Sequence, residues 1–226
     1  MNQLYKLSPS DLTFLWDECK RCFYLKVVRG YRRPTIPFPK IFSRIDLLMK
    51  DFYLDKSTHI IHADLPEGKV LTSGKWVESE IIHFDGYTAE CYLKGIFDTV
   101  LQFNDGSYAV VDFKTTEVND EHIGFYARQL QAYAYALEHP AANSLSFKPI
   151  SRLGLLCLEP RHMHQDEQGQ LIYSGKTTWQ EVPLDETSFL NQLKEVMAIL
   201  ELPEPPEAGE KCEFCRYREQ ARINLL

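Results

Sequence analysis

The chain reads as an α/β protein with a mixed central sheet flanked by helices. Three observations predict it. Patterns for a helix, strands, a helix, two further strands and a helix follow one another along 226 residues, with no internal repeat. Two apolar runs rich in β-branched and aromatic residues, Tyr92 to Phe103 and Ser107 to Phe113, flank Asn104-Asp105-Gly106, whose residues tolerate the backbone of a tight hairpin. A composition of 44% hydrophobic and 25% charged residues is globular, and the length suffices for one full core. A single domain over residues 1–226 is expected, in which 202–226 form a Pro-rich linker and a cysteine-bearing end that packs near the N-terminus.

The elements follow in order. Ile41 to Leu54 (IFSRIDLLMKDFYL) sets Ile41, Ile45, Leu48, Met49 and Phe52 on one side of a helix. In the hairpin, alternation points Asp112 and Lys114 one way and Val111 and Phe113 the other. Gly95 leaves room for a close backbone approach, or marks a bulge. The register that would bring Asp98 beside Asp112 is not given by the pattern. Glu121 to Glu138 carries Tyr126, Leu130, Tyr133, Ala134 and Leu137 at helical spacing, and Gln129 and Tyr133 share a face as an i, i+4 pair. Arg152 to Glu159 predicts a buried strand. Arg161-His162-Met163-His164 reads as a loop with solvated histidines. After a polar turn at Gln165 to Gly169, Leu171 to Val182 predicts one or two strands. Asp185 to Leu200 predicts a helix capped by Asp185, with an apolar stripe of Phe189, Leu190, Leu193, Val196, Met197 and Leu200. Leu202 to Glu210 (LPEPPEAGE) holds too much proline for regular structure.

The chemistry concentrates in the hairpin and the helix after it. Asp98, then Asp112 and Lys114, offer two carboxylates and an amine near one strand end. Carboxylate oxygens are hard ligands suited to Mg²⁺ or Mn²⁺. Such an ion acidifies water and neutralises phosphate charge, while the lysine stabilises the transition state, which is what phosphodiester hydrolysis requires. The rival reading is an exposed Asp–Lys pair of little consequence. Glu78 and Glu80, on an earlier strand pattern, are fallback ligands or outward charges. His59, His62 and His83 stand isolated and read as solvated.

Six cysteines give the second signal. Cys19 and Cys22 form C-x-x-C near the start, and Cys212 and Cys215 form another near the end. Two such pairs suit one four-thiolate site for Zn²⁺ or an iron–sulfur cluster, and thiolate ligation alone does not choose between them. Cys91 and Cys157 lie in apolar strand patterns and read as buried small hydrophobes. Nothing suggests export, so disulfides are not expected. The N-terminus lacks a signal-peptide pattern, and no apolar run approaches the roughly 20 residues of a membrane span. A cytoplasmic protein with no membrane partner is expected.

The net charge of −7 speaks mildly against a nucleic-acid ligand, but its distribution does not. From Lys20 to Lys50 nine Lys and Arg face one acid, Asp46. Arg29, Arg32 and Arg33 surround Tyr31, and Lys40 and Arg44 lead into the Asp46 helix. Basic residues with interleaved aromatics suit backbone-tracking of a single strand. A merely solvated basic face is the alternative.

These motifs resemble the RecB-like branch of the PD-(D/E)XK nuclease superfamily, which carries G-x-x-D, D-x-K and Q-x-x-x-Y, here GIFD, DFK and QLQAY. Within it the chain looks like the CRISPR-associated RecB-like exonucleases and related repair nucleases. The resemblance implies a restriction-endonuclease-like core. It makes Asp98 and Asp112 metal ligands, with the Phe113 carbonyl as a further one, and Lys114 the catalytic lysine. Gln129 and Tyr133 would hold the substrate strand or the catalytic elements in place. Asp46 best fits the spot where the family shows an earlier His or Glu. The iron–sulfur members bind a [4Fe–4S] cluster through one N-terminal and three C-terminal cysteines. Cys19, Cys212 and Cys215 match three of these, but Ala221 stands where the last belongs, and Cys22 is extra. A cluster with altered ligation, a zinc site and no metal at all stay open.

Three function classes follow. The first is a divalent-metal-dependent DNA nuclease acting on single strands or DNA ends. The second is a non-catalytic nucleic-acid-binding subunit of the same fold with a structural metal site. The third is a metal-stabilised protein with no nucleic-acid role.

Overall fold

A computed structural model describes residues 3–34, 37, 39–117 and 120–224, with the main chain alone at 120–122 and 224. It contains β1 (Leu4–Leu7), α1 (Phe14–Glu18), α2 (Lys20–Arg29), α3 (Lys40–Tyr53), β2 (Gly68–Glu78), β3 (Glu90–Phe103), β4 (Tyr108–Lys114), α4 (Asp120–Glu138), β5 (Ile150–Gln165), β6 (Leu171–Val182), α5 (Glu186–Leu200) and α6 (Glu213–Asn224). The six strands form one sheet in the order β1-β3-β4-β5-β6, with β2 also paired to β3. β1 runs parallel to β3 and β4 parallel to β5, while the other pairings are antiparallel. The mixed α/β architecture expected from the sequence is therefore observed.

Helices cover both faces. On one, α4 and α5 bury Leu130, Leu137, Leu193 and Met197 against Phe97, Val110, Leu153 and Leu155. Each such side chain contributes roughly 1.5–3 kcal/mol by leaving water. On the other, Met49 and Tyr53 of α3 pack on Leu101, Val111 and Phe113. The alternation in β4 is thus as read: Val111 and Phe113 face α3, while Val110 faces α4. Asp185 caps α5 by accepting a hydrogen bond from the Ser188 N–H at 2.9 Å.

Two readings are corrected. Arg161 to His164 do not form a loop: β5 runs on to Gln165 and pairs with β6 throughout, with a register shift between Pro160 and His162. An exposed polar run there masks the strand, because neither face of that stretch is buried. Leu171 to Val182 is one strand, not two. The short β1, the helices α1 and α2 and the C-terminal α6 lie outside the elements foreseen.

Candidate active site and thiol cluster

β3 and β4 pair from Gln102↔Tyr108 to Thr99↔Val111, and the next step along that register sets Asp98 opposite Asp112. The Phe113 N–H donates to Asp98 Oδ2 at 3.0 Å, tying the two strands where their ladder ends. This is the register that pattern left undetermined. Gly95 helps seat the strand: a Cβ there would stand 2.9 Å from Pro9 Cδ and 3.1 Å from Tyr133 Cε1. Tyr133 is buried beside that gap, and its hydroxyl donates to the Ile96 carbonyl at 2.6 Å. Tyr133 therefore braces β3 two residues before Asp98. Gln129, one turn earlier on α4, reaches Asp112 Oδ1 at 3.5 Å, the long limit of a hydrogen bond.

The charges are arranged in two layers. On the α4 side, the Lys114 ammonium pairs with Asp112 and lies 4.5 Å from the centroid of the Tyr126 ring. Burial works against a charged Lys114, but the adjoining Asp112 carboxylate outweighs it and holds the amine protonated. Burial pushes the Asp112 carboxyl up to about 7, with Lys114 pulling the other way and Asp98 adding to the rise. On the α3 side, Lys50 Nζ sits 2.7 Å from Asp98 Oδ1 and 2.8 Å from Asp46 Oδ2. Asp46 is thus joined to Asp98 through Lys50 rather than gathered with Asp98 and Asp112 into one cage.

A divalent ion fits this donor set on one observation in particular. Asp112 is buried, and the contact its Oδ2 makes is the ion pair with the Lys114 ammonium. A second carboxylate, Asp98, beside this buried pair raises the energy of the ionised site, and added positive charge lowers it. Asp98, Asp112 and the nearby main chain at Phe113 supply hard oxygen donors.

Lys50 and Tyr126 escaped the sequence reading as site residues. Asp46-x-x-x-Lys50 is an i, i+4 pair on a predicted helix, and that was the available signal for Lys50. Tyr126 had none beyond its place in an apolar stripe. The fallback acids lie elsewhere: Glu78 pairs with Lys94 at 2.6 Å, and Glu80 has His139 Nδ1 at 3.5 Å. Of the basic stretch, Arg29, Arg32, Lys40 and Arg44 are exposed. Arg33 is turned inward. It pairs with Glu18 at 2.7 Å, donates to Cys212 Sγ at 3.2 Å and stacks over Phe214.

The second constellation unites the ends of the chain. Cys19 lies between α1 and α2, Cys22 in the first turn of α2, Cys212 just before α6 and Cys215 within it. Their sulfurs all lie within 4.8 Å of one another, and all four residues are buried. Cys19–Cys215 and Cys22–Cys212 are 3.8 Å apart and Cys22–Cys215 3.5 Å. Gly209 permits the close approach, since a Cβ there would meet the Glu18 carbonyl oxygen at 2.2 Å. Its N–H donates to Cys19 Sγ at 3.3 Å. Burial would push the Cys19 thiol up, but the N–H groups of Gly209 and Cys22 and the neighbouring thiols bring it down to about 7. Burial pushes Cys215 up. Four soft, mutually adjacent donors fit a thiophilic ion such as zinc or the iron of a cluster. Cys91 and Cys157 are buried in the sheet, as expected.

Among the described residues no helix is long and apolar enough to cross a membrane. No curated protein matches the chain. The crystal structure of SSO0001 is similar at 13% identity and a TM-score of 0.44, over 88% of this chain and 77% of that one. The family model for the PD-(D/E)XK nuclease superfamily matches residues 63–220, a span that takes in Asp98, Asp112, Lys114, Cys212 and Cys215 but begins after α3. Since that match runs over well more than half of the sequence and through the strands and helix that build the acidic site, this protein belongs to the PD-(D/E)XK nuclease superfamily.

Proposed function

We propose that the protein is a divalent-metal-dependent DNA nuclease of the RecB-like branch, which hydrolyses phosphodiester bonds in single strands or at DNA ends. The observation that carries the reading is the meeting of Asp98, buried Asp112 and Lys114 where β3 and β4 part. Nucleases of the superfamily use divalent metals, and the hard donors here suit Mg²⁺ or Mn²⁺. GIFD, DFK and QLQAY support the RecB-like assignment and, with it, a role in DNA repair or CRISPR-related processing.

In this account Asp98 and Asp112, with the Phe113 carbonyl, hold the ion, and Asp46 completes the acidic set from α3. When bound, the ion supplies positive charge against the scissile phosphate and lowers the pKa of water. Lys114, kept protonated by Asp112 and steadied by the Tyr126 ring, stabilises charge developing on the phosphate and orients the attacking water. Gln129 and Tyr133 fix the carboxylate and the strand beneath it. Arg29, Arg32, Lys40 and Arg44, all exposed, would track the backbone of the bound strand.

For the thiol cluster we propose a single zinc ion. Zinc–sulfur bonds of about 2.3 Å in a tetrahedron put sulfurs about 3.8 Å apart. Three of the six Sγ separations, at 3.5 and 3.8 Å, lie close to that, and all fall within 4.8 Å. In a [4Fe–4S] cluster each thiolate binds a different iron, which spreads the sulfurs farther. Metal analysis and visible absorption of anaerobically purified protein test this choice. Stoichiometric zinc in a colourless sample is expected, and a brown, iron-containing sample would overturn it.

A non-catalytic nucleic-acid-binding subunit is the second reading. It is favoured by the pairing of both acids with ammonium groups, Asp98 with Lys50 and Asp112 with Lys114. Cleavage and binding assays on single-stranded and duplex DNA separate the two. Metal-dependent cleavage supports the nuclease, and salt-sensitive binding without cleavage under Mg²⁺ or Mn²⁺ supports the subunit.

A further inference from the structure

We infer that Lys50 is a built-in placeholder cation, which bridges Asp46 and Asp98 in the metal-free protein and leaves them when a divalent ion takes its place. The inference rests on the reading of the acidic site given above, and it concerns a residue outside the segment matched by the family model.

The geometry is specific. Lys50 Nζ lies 2.7 Å from Asp98 Oδ1 and 2.8 Å from Asp46 Oδ2, so one ammonium serves a carboxylate on the sheet and another on a helix. Asp46 precedes Lys50 by one turn, the favoured order for such a pair on a helix. α3 is held by Met49 and Tyr53, which are buried against the sheet on either side of Lys50 in sequence. The helix is therefore fixed, while the lysine head hangs on a four-carbon stem that can swing.

The two lysines of the site differ in what retains them. Lys114 extends from a central strand, pairs with buried Asp112 and is covered by the Tyr126 ring. Lys50 contacts two carboxylates from the outer layer, and Asp46 is itself 39% exposed at its side chain. Without Lys50, and with Asp112 still paired to Lys114, Asp46 and Asp98 would be left facing each other with no ammonium between them. Their repulsion would open the site before any ion arrived. With Lys50 in place the acids stay aligned, and an incoming doubly charged ion need only displace a singly charged group.

Manganese binding, read by loss of its solution electron-paramagnetic signal, tests this directly. The site-specific part is the part absent in Asp112→Asn. Lys50→Met and Lys50→Gln should bind Mn²⁺ roughly tenfold more tightly than the wild type, because the internal competitor is gone. In the wild type, acylation of Lys50 by an amine-reactive reagent, read by mass spectrometry, should rise when Mn²⁺ is added, while Lys94, paired with Glu78, should not change. Equal or weaker Mn²⁺ binding by both variants overturns the inference, as does unchanged Lys50 acylation in Mn²⁺-loaded wild type. If the wild type and both variants show no site-specific Mn²⁺ binding, the acidic-site reading itself fails and the inference falls with it.

Discussion

The acidic site and the thiol cluster make an instructive pair. One is assembled mid-chain from two strands and two helices, with oxygen donors already countered by ammonium groups. The other is assembled from the chain ends, with four buried sulfurs lying against one another. Among the described residues the thiols are the only group of three or more potential ligands gathered within 4.8 Å. Hard, loosely gathered donors suit an exchangeable ion that does chemistry, and soft, closed donors suit an ion that holds structure. The difference lies in ligand type and closure, and each can be altered separately.

The largest effect should follow from breaking the acidic site alone. Asp112→Asn should lower metal-dependent cleavage by at least roughly 10³-fold by analogy with other electrostatic centres, while melting in chelator stays at or above the wild-type value. A variant that unfolds would show Asp112 to be structural instead. Cys212→Ser or Cys215→Ser should do the opposite. The metal proposed for the cluster should be lost, and trypsin should then cut between residues 202 and 220 far faster, while a core of β3, β4 and α4 persists. Uniform unfolding of the whole chain would show that the cluster stabilises more than the chain ends.

A smaller effect separates the two sites by pH. Asp112 is pushed up to about 7 when folded, against about 4 in an unfolded chain. Between those values the folded state binds the extra proton, so stability of the metal-free protein falls as pH rises and levels off above about 7. Its melting temperature should be roughly 2–6 °C lower at about pH 8 than at about pH 5.5, and Asp112→Asn should remove most of that slope. A slope retained in Asp112→Asn would assign it to other groups. The smallest change is Tyr133→Phe. It deletes the 2.6 Å hydrogen bond to the Ile96 carbonyl and should cost roughly 0.5–1.5 kcal/mol, measured by denaturant unfolding. No loss of stability would mean that Tyr133 acts by packing alone.

Much of this was legible in the residues. The Asn104-Asp105-Gly106 turn, the alternation through Asp112 and Lys114, and the helical spacing of α4 are local patterns, and local patterns survive folding when one face is buried. The C-x-x-C pairs could be read as one site because thiol chemistry narrows their uses. Other features were hidden for physical reasons. Strand register depends on partners far along the chain, so the opposition of Asp98 and Asp112 needed the fold. Lys50 looked like one member of a basic run, because sequence does not show which way a helix presents a long flexible side chain. Arg33 looked like a phosphate-binding arginine until its place against Glu18 and Cys212 was visible. The outer half of β5 lacks a buried face and so carries no alternation to read.

Lys114 as the ammonium of a hydrolytic centre is tested most directly by a paired cleavage assay of wild type and Lys114→Ala on single-stranded and duplex DNA with Mg²⁺ or Mn²⁺. The wild type should cleave. The variant should be at least roughly 10²-fold slower with unchanged circular dichroism and unchanged metal content at the cysteines. Cleavage by Lys114→Ala at the wild-type rate, or a folded, metal-loaded wild type that cleaves neither substrate, would contradict that role.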